Sequence, residues 1–147
     1  MNGSQFGGRN PQPTMKYICL GYFDPNWLAS NTQDEVNALM DGCFTYDDKL
    51  RANGHFTGGE ALGPPNTAMT LRYTEGRVVV TDGPFAETKE QLGGILILEA
   101  RDMNHAMQLM SQHPALTYGN TFEIRPVGDM NEIIEASEQR RRQNTAR

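Results

Sequence analysis

The side chains whose types could do chemistry are few. Asp82, Glu87 and Lys89 share one polar loop, while Glu60, His55, His113 and Arg125 stand elsewhere in the chain. Asp82 follows the β-branched run Val78-Val79-Val80 and precedes Gly83-Pro84. A carboxylate placed there either accepts backbone N–H bonds and shapes an Asx turn, or faces a ligand. Glu87 and Lys89 either bind or protonate a ligand, or form a surface ion pair of little energetic weight. His113 precedes Pro114 after a helix. Histidine titrates near neutrality, which suits a general base, and the competing reading is a capping or exposed ring. His55 opens a strand after a helix-ending glycine and ranks below it. The catalytic candidates are therefore His113 and Asp82. The ligand-binding candidates are Asp82, Phe85, Glu87, Lys89 and Glu60. Neither Cys19 nor Cys43 has a second Cys or His at metal spacing, so no metal site is expected. G-x-S-x-G, Walker A and H-E-x-x-H motifs are missing, and no cofactor is expected.

The elements that must position these residues can be read from hydrophobic spacing. Met15 to Tyr22 is apolar on both faces, as a covered central strand would be. Phe23 to Trp27 reads as a loop, with Trp27 as a lid over the core or an interface residue. Thr32 to Glu35 is a capping box that opens a helix. Val36, Leu39, Met40, Cys43, Phe44 and Leu50 recur on one helical face, and Asn53-Gly54 ends it. Asp41, Asp47 and Asp48 read as the solvated opposite face. His55 to Gly59 is a short strand, and Ala68–Tyr73 with Arg77–Thr81 forms a hairpin about Glu75-Gly76.

The hairpin leads into Val78 to Gly94, the stretch around which the chain is organised. Thr88 to Gln91 fits a second capping box and predicts one helical turn, stopped by Gly93-Gly94. Phe85, the one aromatic in that loop, is expected to be buried, an effect of about 1.5–3 kcal/mol. Gly94 to Ala100 is a second buried strand. Asp102 caps a helix with Met103, Ala106, Met107 and Met110 inward, and Pro114 ends it. Thr121 to Val127 is the last strand, with Phe122 and Ile124 inward. The order is a split βαβ plan with an added hairpin. One sheet face would lie under two helices; the other would stay apolar and open, which predicts a homodimer.

The 147 residues suit one domain. Residues 1–14 read as a flexible leader, 15–130 as the domain and 131–147 as a helical or frayed tail. Thirteen Lys and Arg against 18 Asp and Glu give a net charge of −5. That balance does not favour nucleic acid or an anionic membrane. No apolar run approaches the roughly 20 residues of a membrane helix, and no signal peptide opens the chain, so a cytoplasmic setting is expected. Both cysteines read as buried free thiols.

Asp82-Gly83-Pro84-Phe85, followed by Ala-Glu-Thr-Lys-Glu-Gln-Leu-Gly-Gly, resembles the signature of the DGPF branch of the YCII-related proteins. The likeness runs from Met15 to about Met130. It includes Gly58-Gly59-Glu60-Ala61-Leu62, Pro64-Pro65 and Val127 after Glu123-Ile124-Arg125-Pro126. The resemblance implies a ferredoxin-like α+β domain that pairs into a dimeric α+β barrel. It implies an uncharacterised protein that binds or converts a small molecule in a cleft at the DGPF loop. The alternative is a regulatory or protein-interaction module associated with extracytoplasmic-function sigma factors. Broader YCII-related proteins look like enzymes with a His on the first helix and an Asp before a Pro after the second. Here the helix position falls near Cys43 and the residue before Pro114 is His113, so that pair is expected to be lost.

Overall fold

The computed structural model describes residues 13–146. The expected leader therefore lies outside the described residues, except for its last two positions. Four strands form one antiparallel sheet in the order β2-β5-β1-β6: β1 (Met15–Phe23), β2 (Phe56–Ala61), β5 (Gln91–Ala100) and β6 (Thr121–Pro126). The two longest strands, β1 and β5, are central, with Cys19 opposite Leu96 and Tyr17 opposite Leu98. β3 (Met69–Thr74) and β4 (Arg77–Asp82) form a separate two-stranded hairpin inserted between β2 and β5. Glu75 and Gly76 both take positive φ in its two-residue turn, the geometry that matches strand twist. This is the ferredoxin-like α+β class with an added hairpin.

α2 (Gln33–Ala52) begins at the expected capping box: the Thr32 hydroxyl accepts the Glu35 N–H at 3.2 Å, and the Glu35 carboxylate accepts the Thr32 N–H at 2.9 Å. α3 (Met103–Ser111) is capped by Asp102, which accepts the His105 N–H at 2.8 Å. Leu50, Ala106 and Met110 from these helices bury against Tyr17, Cys19, Leu96, Leu98 and Ala100 of the sheet. Strand alternation turns Ile18, Leu20, Ile95 and Ile97 to the other face, away from that core. The tail is helical, α4 spanning Asn131–Thr145.

Three local expectations are corrected. Asp24 and Pro25 start a short helix, α1 (Pro25–Ser30), where a loop was expected; the Asp24 carboxylate accepts the Asn26 N–H at 2.9 Å and Pro25 occupies a first-turn position. Thr88 to Gln91 forms no helical turn. The Thr88 hydroxyl donates to the Glu90 carbonyl instead, and Gln91 already pairs with Phe23 in the sheet. Gly93 and Gly94 consequently lie inside β5 rather than ending a helix. Within the chain Phe85 is 76% exposed, so it anchors nothing in its own domain.

Candidate functional site

Pro114 cannot continue α3, and the chain turns into a 3-10 segment over Pro114–Tyr118. His113 caps that segment: its Nδ1 accepts the Ala115 N–H at 3.2 Å. A backbone N–H can only donate, so the ring proton belongs on Nε2. Nε2–H then donates to Asp47 Oδ1 at 3.0 Å. The imidazole is 5% exposed and stands edge-on to Phe122 at 5.0 Å and to Tyr46 at 5.3 Å. Tyr46 is itself fixed, its hydroxyl donating to the Leu109 carbonyl.

Asp47 comes from α2. It lies four residues after Cys43 and three before Leu50, inside the apolar stripe and not on the solvated face assigned to it with Asp41 and Asp48. Its side chain is 21% exposed, and among the described residues the carboxylate takes no hydrogen bond besides that of His113. Burial first, and then the charge of Asp47, raise the pKa of the neighbouring Tyr46 hydroxyl and Cys43 thiol. The backbone N–H of Ala115 partly offsets this at Cys43.

The pattern of a His on the first helix and an Asp before the proline is lost, as expected, yet the structure forms another His–Asp contact in the same region. A pair is present with its residue types exchanged: the acid is on the helix, one turn beyond Cys43, and the histidine precedes the proline. Both His113 nitrogens are engaged and its ring is buried, while the second oxygen of Asp47 takes no hydrogen bond among the described residues. The signal for Asp47 was an acid at stripe spacing among Cys43, Phe44 and Leu50.

Asp47 and His113 border a cleft of about 850 Å³ between α2 and one end of the sheet. Its floor is opened by small residues: Gly21 of β1, Gly94 of β5 and Ala61 of β2 lie in one cross-strand row. α1 supplies Trp27, whose ring stands edge-on to Tyr118 at 5.4 Å. α2 supplies Met40 and Phe44, apolar side chains left exposed within the chain.

Of the residues singled out from sequence, His113 and Glu60 line this cleft, whereas Asp82, Phe85, Glu87 and Lys89 do not. Asp82 ends β4 opposite Met69. Its side chain makes no hydrogen bond among the described residues; the turn is held instead by Gly83 N–H to the Ala68 carbonyl and by the Thr70 hydroxyl to the Gly83 carbonyl, both 2.7 Å. The Phe85 carbonyl accepts from Arg72 at 3.1 Å. Glu87 and Lys89 form no ion pair among the described residues, and Arg125 pairs with Glu123 at 3.1 Å on the surface. His55 Nδ1 lies 2.9 Å from the Glu99 carbonyl, with its ring 5.1 Å from that of His105. Among the described residues no group of three or more His, Cys, Asp or Glu is arranged to hold a metal ion.

Fold and site together define a ferredoxin-like α+β protein with a His–Asp pair at the mouth of an apolar cleft. The YCII-related domain family matches residues 15–131, and the chain belongs to that family. It is 30% identical over 117 residues to an uncharacterized protein of Rhizobium meliloti (strain 1021), an alignment covering 77% of this chain and 92% of that one.

Proposed function

We propose that this YCII-related protein binds a small molecule in the cleft between α2 and the sheet, with Asp47 as the acid–base group and His113 as its positioning partner. The observation that carries this reading is the His113–Asp47 pair, buried on the histidine side and open on the carboxylate side. The hydrogen bond fixes the direction of the Asp47 carboxylate, so its free oxygen can take a proton from a bound ligand or hold a ligand's N–H or O–H. The apolar lining supplies affinity and excludes water around the carboxylate. A thermal-shift screen of metabolites tests this, because a ligand of the native state raises stability by mass action. The expected hit raises the melting temperature of the parent protein and not that of Asp47→Asn. A hit that stabilises both equally would move the site away from Asp47.

A homodimer forms part of the same reading. Ile18, Leu20, Ile95 and Ile97 lie on the sheet face opposite the core. Met69, Leu71 and Tyr73 face the same way as Val78 and Val80 on the hairpin, and each is more than half exposed within the chain. A second copy covering both surfaces would bury an apolar area larger than a monomer ordinarily leaves in water. The same hairpin face supports the second reading, an interaction module, if its occupant is another protein. Both cysteines are free thiols, which suits a reducing, cytoplasmic setting.

A further inference from the structure

Two histidines meet at the end of the sheet away from the Gly21–Gly94 pair, where β2, β5 and α3 converge. Nδ1 of His105 accepts the Arg101 N–H at 3.1 Å. Nδ1 of His55 lies 2.9 Å from the Glu99 carbonyl. The rings stand edge to face, with 5.1 Å between centroids and 87° between planes. Their backbone partners assign opposite tautomers. A carbonyl only accepts, so His55 carries its proton on Nδ1. An amide N–H only donates, so Nδ1 of His105 is bare and its proton is on Nε2. His55 therefore keeps its bond in either charge state. His105 does not, because a proton on its Nδ1 sets two donors against each other.

His105 also closes the start of α3 in both directions. The Asp102 carboxylate accepts its backbone N–H at 2.8 Å, and its ring accepts the N–H of the residue before Asp102. Met103 and Ala106 of that first turn pack against the core. Protonation of His105 removes one half of the closure and places a positive charge at a helix N-terminus, where the backbone dipole opposes it. The surroundings lean the same way: burial first, then Arg101, then His55 hold the His105 pKa below the ordinary histidine value, with Asp102 acting against them. From β5, Glu99 offers the pair its carbonyl, while its carboxylate accepts the Thr14 hydroxyl at 3.4 Å. From α2, Arg51 pairs with Asp48 and lies on the Phe56 ring. We propose that the His55–His105 pair is an acid-sensitive catch: the neutral rings hold the first turn of α3 against the sheet, and protonation of His105 releases that turn while the rest of the fold stays closed. His105 binds a proton less readily folded than unfolded. Its contribution to stability is thus complete above the ordinary histidine range and is lost as pH falls through the folded-state value.

A titration of the full chain from about pH 8 to about pH 5, followed by NMR, tests the catch. The histidine ring signals report protonation. Hydrogen exchange of the Arg101 and His105 amides, taken relative to the intrinsic rate at each pH, reports release. The protection of those two amides should fall at least about tenfold at the midpoint of the His105 ring, while Cys19 and Leu98 in the buried sheet centre stay protected. His105→Asn sets an oxygen where Nδ1 stands and does not titrate, so its Arg101 amide should stay protected throughout. His55→Asn keeps a donor for the Glu99 carbonyl and removes a charge, so the His105 midpoint should rise. The parent titration needs neither variant to fold. Arg101 and His105 amides that keep their protection through the His105 titration overturn the catch. So does a His105→Asn variant that loses protection in parallel with the parent. Loss of protection across the whole sheet at the same midpoint overturns it as well, since the release is then global unfolding. A His105 midpoint unmoved in His55→Asn overturns the role given to His55.

Discussion

At the scale of single residues, the proposed chemistry turns on which member of the His–Asp pair faces outward. The Ala115 N–H occupies His113 Nδ1 and Asp47 occupies Nε2, so the imidazole has no nitrogen left for a ligand. Asp47→Asn keeps an oxygen that can accept from Nε2–H, so its stability should stay within about 1 kcal/mol of the parent in urea melts. It removes the charge. A charge-assisted hydrogen bond contributes about 1.5–3 kcal/mol, so affinity for the screened ligand should fall roughly tenfold to a hundredfold by calorimetry. Cys19 offers a pH test. Burial pushes its thiol from 9.0 up to about 11. The folded chain therefore holds a proton that the unfolded chain releases across that interval, and stability should fall as pH rises above about 9. Urea melts of the parent and Cys19→Ala between pH 8 and pH 10.5 read this directly, with the variant showing the flatter alkaline limb. His113 was legible from sequence because a histidine before a proline marks a helix exit. Asp47 was not, because two neighbouring acids drew it onto the solvated face.

At the scale of elements, spacing and caps were the readable part. The Thr32 and Asp102 caps and the Glu75-Gly76 turn stand where sequence put them, since each depends on a few adjacent residues. The stretch from Thr88 to Gly94 misled for the opposite reason. Its capping pattern is real locally, but Gln91 to Gly94 pairs with β1 at the centre of the sheet, and tertiary pairing outweighs a single helical turn. Gly59 shows the same sheet constraint from the side of β2. A Cβ added there would come within 2.8 Å of the Ile95 carbonyl oxygen and 3.3 Å of the Phe56 ring. Backbone oxygen cannot swing aside as a side chain can, so Gly59→Ala should force β2 away from β5. Overpacking of this kind costs about 1–3 kcal/mol, to be read as a lowered urea midpoint. A midpoint equal to the parent's would mean that β2, one wall of the cleft, is free to shift.

At the scale of the whole molecule, the ferredoxin-like α+β class was legible in the split βαβ pattern, the structure adds the strand order β2-β5-β1-β6, and the family match over residues 15–131 agrees with the resemblance carried by the loop. The cleft proposed as the site was not legible there. The signature loop carries the densest polar residues, yet the cleft is built by α2, α1 and the small residues of three strands, which meet only after folding. The apolar hairpin and the open sheet face predict a particle of twice the 16.4 kDa chain mass by light scattering at micromolar concentration. Leu71→Glu, which places a charge in the middle of the hairpin face, should shift it toward the monomer. The central claim is that the cleft at Asp47, and not the signature loop, receives the ligand. Amide chemical-shift mapping of a thermal-shift hit tests it most directly. The account predicts movement at Gly21, Gly94, Ala115 and Asn120 with Gly83, Phe85 and Lys89 still. Movement at Gly83, Phe85 and Lys89 with the cleft amides still would contradict it.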